Sequence, residues 1–269
     1  MNSTDSAASA ARAAQDSTVF RTLARVGYVV LGILHLLIGG IAISIATGGG
    51  GEADQGGAMQ QIQQAPAGMV LLWVIALGLV ALAIWQIAEA VLERDPDAKK
   101  KWGHRVKFLG TAAAYVAIAG TALVYALGGR SQSSDSSQSL SARLLAAPAG
   151  VVLLVLVGLI VVAVGAAFVV RGITRAFTKR LDLPAGPARK GITAFGIVGY
   201  IAKGIAVGVA GVLFVVAALT HDPETAGGLD AALHALAGLP FGVVILWTVG
   251  AGLILYGLFC FARARYARM

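Results

Sequence analysis

The feature that most constrains this chain is a phrase that occurs three times. From Ala65 to Arg94 it reads APAGMVLLWVIALGLVALAIWQIAEAVLER, a proline followed by a long apolar run that closes on charges. It returns from Ala147 as APAGVVLLVLVGLIVVAVGAAFVVRG, and from Gly238 as GLPFGVVILWTVGAGLILYGLFCFAR. A helix rising about 1.5 Å per residue needs about 20 apolar residues to cross a bilayer. Each copy is long enough to span, and repetition at a large period marks a protein built from one structural unit used several times.

Composition then selects the solvent. Hydrophobic residues make up 58% of the 269 and charged residues only 13%, against about 25% charged in an ordinary soluble domain. Thirty-five glycines fit the same class, since helices in lipid pack closely through small residues. A single cysteine, Cys260, excludes an internal disulfide framework. The net charge of +8 sits in short loops between apolar spans. That pattern reports topology and excludes nucleic acid as a partner.

Taken in order, residues 1–18 are too polar for a signal peptide and read as a flexible cytoplasmic tail. Repeat 1 covers 19–94, repeat 2 covers 104–180 and repeat 3 covers 191–269. Each holds two spans: roughly Val26–Ala46 and Ala67–Leu92, then Val106–Leu127 and Gly150–Arg171, then Ala194–Leu219 and Phe241–Ala262. The loop holding GGGGEADQGG reads as a flexible linker, and the serine-rich GGRSQSSDSSQS as compositionally disordered. Just before each proline lies a short amphipathic piece, AMQQIQQ, LSARLLA or LDAALHALA, expected to lie along the outer leaflet. The prolines suit the first turn of the helix that follows, where a missing N–H costs nothing.

Lysine and arginine concentrate in the tail, the second and fourth loops and the C-terminus. The other three loops hold only Arg130 and Arg143. Basic loops stay in the cytoplasm, so both termini are expected inside.

The first helices of the repeats share a weaker pattern: GYVVLG from Gly27 matches GYIAKG from Gly199, and Gly39 matches Gly211, while the middle copy keeps only Gly120. With the APAG-like start of each second helix, this chain resembles the bacterial, mainly actinobacterial, membrane family known as domain of unknown function 1206. The resemblance covers nearly the whole chain. It implies an all-α integral membrane fold of six transmembrane helices, in three tandem two-helix repeats with a pseudo-threefold arrangement. It implies a protein of the bacterial plasma membrane with no established activity.

Ionisable residues within the spans are costly in hydrocarbon and are the first functional candidates. Lys203 lies about eight residues into the fifth span. It either lines a pathway or snorkels toward the headgroups. His35 sits near mid-depth, as a proton relay or as a packed ring bonded to a carbonyl. Glu89 aligns, through the prolines, with Arg171 and Arg263. One acid and two bases at equivalent sites would meet on the pseudo-threefold axis and close a central pathway from inside; otherwise they are separate interfacial charges. Gly199, Gly204 and Gly208 read as helix-packing positions. Trp73, Trp102 and Trp247 read as interfacial anchors.

HExxH, CxxC and the phosphate-binding Gly-Lys-Ser/Thr loop are all missing, and the four histidines are scattered in depth. No catalytic residue, metal site or cofactor is expected, and the chain reads as a non-enzyme. Two functions stand: a pathway or cavity for a small solute, ion or lipid, and a non-catalytic module acting through membrane lipids, another protein or homo-oligomer formation.

Overall fold

A computed structural model describes residues 17–93 and 97–268; nearly all of the tail expected at 1–18 lies outside them. The described residues form six long apolar helices, all sufficient in length and composition to cross a membrane. These are α1 (Thr18–Ala46), α3 (Gly68–Leu92), α4 (Ala98–Ala126), α6 (Gly150–Ile173), α7 (Pro187–Thr220) and α9 (Gly242–Tyr266). Three short helices, α2 (Gln55–Gln64), α5 (Ser133–Leu145) and α8 (Gly228–Ala237), join the two spans of each repeat. The protein is thus an all-α integral membrane protein of three tandem helical hairpins. Its outer surface is a belt of exposed Leu, Val and Ile, including Leu77, Val80, Ile84, Leu159, Ile160 and Val212. Such a surface is stable only in hydrocarbon.

The spans follow one another around an arc in the order α4, α3, α1, α9, α7, α6. The tightest pairs join neighbouring repeats, α6 with α7 and α9 with α1. Their approach depends on glycines at equivalent places. A Cβ on Gly32 or Gly39 would meet the carbonyl of Gly257 or Gly250; one on Gly204 or Gly211 would meet that of Gly165 or Gly158. Gly199 packs against the Tyr256 backbone, and a Cβ on Gly165 would meet the backbone of Gly208, although one on Gly208 itself would meet nothing within 4 Å.

Within repeats 1 and 3 the two spans also touch, α1 on α3 and α7 on α9, but no comparable packing joins α4 to α6. The ring is therefore open at repeat 2. Gly27 of α1 touches the Gly78 carbonyl of α3. No glycine stands on α4 where Gly27 stands on α1, and the prolines place Ile160 where Gly78 stands.

Three local expectations are corrected. The prolines lie before the first helical turn, not within it. Pro66, Pro148 and Pro240 each occupy the second residue of a β-turn, closed by Gly68 N–H to the Ala65 carbonyl, Gly150 to Ala147 and Gly242 to Leu239. The residue after each proline is left-handed: Ala67 at φ 60°, Ala149 at 59° and Phe241 at 61°. The glycine that follows lies against a carbonyl of the preceding short helix, that of Ile62, Leu144 or Ala237, where a Cβ would clash. Proline thus sets the first angle of a turn that reverses the chain into the membrane.

The serine-rich stretch is helical from Ser133 onward. Its hydroxyls bond back to the helix: Ser136 to Gln132, Ser137 to Ser133 and Ser141 to Ser137. Asp135 in the first turn favours the positive end of the helix dipole. Tertiary contact completes the ordering, with Gln138 donating from Nε2 to the Glu224 carbonyl at 2.9 Å.

The GGGGEADQGG segment is also tied down in part. Asp54 caps α2 by accepting from Gly57 N–H at 2.9 Å, and Asp230 of repeat 3 accepts from Ala53 N–H at 2.7 Å. Gln63 donates to the Tyr125 carbonyl at 2.8 Å. The three short helices are thereby knitted into a cap at the end of the bundle remote from the chain termini.

Candidate functional site

Lys203 and His35 meet. Helix α7 begins at Pro187, earlier than the span expected from 194, so Lys203 lies about sixteen residues in, roughly 24 Å along the axis. This brings it level with His35 of α1. Lys203 Nζ stands 3.1 Å from His35 Nε2, and His35 Nδ1 stands 2.7 Å from the Leu31 carbonyl. A carbonyl only accepts, so Nδ1 carries the ring proton and Nε2 offers its lone pair to the ammonium.

Aromatic faces complete the cage. The ammonium lies 4.5 Å from the Tyr256 ring centre and 5.2 Å from that of Phe168. His35 packs on Tyr256 with centroids 4.7 Å apart. His35 is buried, while Lys203 keeps part of its surface accessible. Lys203 is thus held at the depth of His35, while Glu89 pairs with Arg180 nearer the end of α3.

Toward the end bearing the termini, Tyr200 stacks with Phe177 and packs edge-on to Tyr256 and Phe259. Beyond this cluster each repeat presents an aromatic ring at the same place with an arginine over it. Arg263 lies 4.3 Å from the Tyr28 ring centre, Arg171 5.3 Å from that of Tyr200 and Arg180 4.9 Å from that of Phe108. Tyr28 and Tyr200 are the tyrosines of the two GY patterns. Phe108 is therefore the middle copy's counterpart, and the match through Gly120 is corrected, since a Cβ on Gly120 would meet nothing within 4 Å.

The exception is where Glu89 stands. Arg171 and Arg263 occupy equivalent positions on α6 and α9, but α3 carries the acid. The missing arginine is supplied from outside the helix as Arg180, which pairs with Glu89 at 3.7 Å. A 3-10 turn (Ala176–Arg180) and the C-terminal segment hold it there. Leu181 bridges to Ala267, Asp182 N–H donates to the Tyr266 carbonyl, and Arg268 Nε donates to Asp182 Oδ1 at 2.6 Å.

Glu89, Arg180 and Arg263 line one cavity of about 40 Å³ with Tyr28, Trp85 and Gln86, enough for a water or two. Arg171 stands apart, over Tyr200. Arg180, Trp85 and Tyr28 were not singled out from sequence. The spacing between the GY pattern and the aligned arginines carried the signal for Tyr28, but nothing local marked Arg180. Among the described residues no group of three or more His, Cys, Asp or Glu could hold a metal ion.

The comparisons with known proteins fit this architecture. The family model described as Domain of Unknown Function (DUF1206) matches three times, at 26–93, 106–175 and 198–267. A protein of Bacillus subtilis (strain 168), described as uncharacterized protein YxxB, is 32% identical over 251 residues, covering 91% of this chain and 90% of its own length. No solved structure gives a significant match. With one copy of that domain in each helical hairpin, the chain belongs to the DUF1206 family.

Proposed function

We propose that the bundle is a pathway for a small solute or ion, with the Lys203–His35 pair as its charged station and Glu89, Arg180 and Arg263 as its gate. The observation that carries this reading is Lys203 Nζ bonded to His35 Nε2 at 3.1 Å in the bundle interior. A lysine kept only for packing would extend toward the headgroups. This one instead turns to a neutral ring and two aromatic faces, at a cost in desolvation that a purely structural helix avoids. An ammonium hydrogen-bonded to an imidazole can pass and recover a proton. The fixed charge also selects against cations and for a small anion. The basic loops support a cytoplasmic position for the gate and for both termini.

The test is flux in proteoliposomes. Proton and small-anion movement, followed with an entrapped dye, should exceed that of protein-free vesicles and fall sharply in Lys203→Met and His35→Leu. Flux equal to that of empty vesicles, or untouched by Lys203→Met, sinks the reading. A second reading, a non-catalytic module acting through lipid, is favoured by the separation of α4 from α6.

A further inference from the structure

We propose that the opening between α4 and α6 is a binding cleft for one anionic phospholipid of the leaflet on the side of the chain termini, its phosphate held by Lys107 and Arg171. This site is separate from the Lys203–His35 station and stands whether or not the bundle conducts.

Each other repeat buries the facing sides of its two spans against one another; repeat 2 leaves them unpacked. On α4 the residues Lys107, Gly110, Ala114 and Ala117 fall on one side at helical spacing, all exposed. On α6 the matching run is Arg171, Ala167, Ala163 and Ile160, exposed except for the half-buried Arg171. No heavy atom lies within 4 Å of where a Cβ on Gly110 would stand. Small side chains on two separated helices leave a furrow that acyl chains can fill.

The charges lie at one end of that furrow. Lys107 is within electrostatic reach of Arg171, Arg180 and Arg263. Glu89 faces this group through Arg180, so positive charge remains in excess. Arg171 Nε is buried with no hydrogen-bond partner, an orphan donor of the kind an unseen acceptor would satisfy. Like charges gathered at headgroup depth, beside an apolar furrow, suit a lipid phosphate on acyl chains. A free phosphate would gain nothing from the furrow. A second copy of the chain would bring no anion, because its own facing helices carry the same bases.

Purified protein incubated with vesicles of phosphatidylglycerol or of phosphatidylcholine, then analysed by native mass spectrometry, tests this. The wild type should retain phosphatidylglycerol well above phosphatidylcholine. Removing one charge, in Lys107→Gln or Arg171→Gln, should weaken retention about fivefold, and Lys107→Arg should preserve it. Gly110→Trp, which fills the furrow but leaves the bases, should also lose the lipid. Equal retention of both lipids, or retention unchanged in Lys107→Gln and Gly110→Trp, overturns the proposal. So does displacement of phosphatidylglycerol by millimolar inorganic phosphate, or a dimer whose formation excludes the lipid.

Discussion

The guanidinium of Arg180 lies over the ring of Phe108, 4.9 Å from its centre, and so completes a threefold set that the helices alone leave unfinished. Two of its members come from equivalent arginines on α9 and α6. The third is borrowed from a turn beyond α6, because α3 carries Glu89 in the corresponding place. Exchanging one base for an acid thus converts a simple cation–π contact into a three-membered contact of Phe108, Arg180 and Glu89. That contact ties repeat 2 to repeat 1 next to the opening between α4 and α6.

This arrangement predicts measurable coupling. In a double-mutant cycle of Arg180→Gln with Phe108→Leu, unfolded in mixed SDS micelles, the pair should contribute about 0.5–1 kcal/mol. The Glu89–Arg180 pair, with side chains 30% and 48% exposed, should add no more than about 1 kcal/mol, since solvent screens it. Additive single mutants would show the three residues to be neighbours without coupling.

The Lys203–His35 bond predicts an asymmetry between its partners. His35→Leu leaves an ammonium in the interior without its acceptor and should cost about 1–3 kcal/mol. Lys203→Met removes the charge together with its need for a partner, so it should be nearly neutral or stabilising. The double mutant should be more stable than His35→Leu alone. If His35→Leu is harmless while Lys203→Met is costly, the hydrogen bond does not hold the site together.

Much of this was legible in the sequence because bilayer thickness fixes the length of an apolar run and a phrase used three times marks one unit repeated. The three hairpins followed from those two facts, and the short helices before each proline from their amphipathic spacing. The site was legible only as separate residues. Lys203 and His35 lie 168 positions apart, and no periodicity within one helix can show that α7 and α1 both pack against α9. Gly32, against the Gly257 carbonyl, and Gly199, against the Tyr256 backbone, bring both helices onto α9, and only that packing reveals which residues become neighbours. Arg180 was hidden for a different reason. A basic loop reads as topology, and its tether to the C-terminal segment through Asp182 and Arg268 is purely tertiary.

The turns before α3, α6 and α9 give a prediction of opposite signs at adjacent residues. Ala67 holds a left-handed backbone at φ 60°, which costs an L-residue about 1–2 kcal/mol. Ala67→Gly should therefore stabilise the protein by roughly 1 kcal/mol, and Ala149→Gly likewise. Gly68→Ala should do the reverse and more, because its Cβ meets the Ile62 carbonyl. Thermal unfolding of the three variants in one detergent is sufficient. A destabilised Ala67→Gly would show that the turn is held by something other than this local geometry.

The cap predicts how stability varies with pH. Burial pushes the carboxyls of Glu52 and Asp54 above the ordinary carboxylate range. Asp54 and Asp230 add to the shift at Glu52, and Asp230 adds to it at Asp54 against the opposing pull of the Gly57 N–H. Both acids therefore hold protons more tightly in the folded cap than in the unfolded chain. Between their ordinary and raised values the folded state binds the extra protons, so stability must fall as pH rises through that interval and level off above it. Acidifying from neutrality should accordingly tighten the cap, seen as slower hydrogen exchange at Gly56 and Gly57. Asp54→Asn keeps an oxygen to accept from Gly57 but cannot ionise, so it should flatten part of the response without unfolding α2. Cap exchange that slows as pH rises from about 4 to 7, after correction for intrinsic rates, would reverse the sign and overturn this account of the cluster.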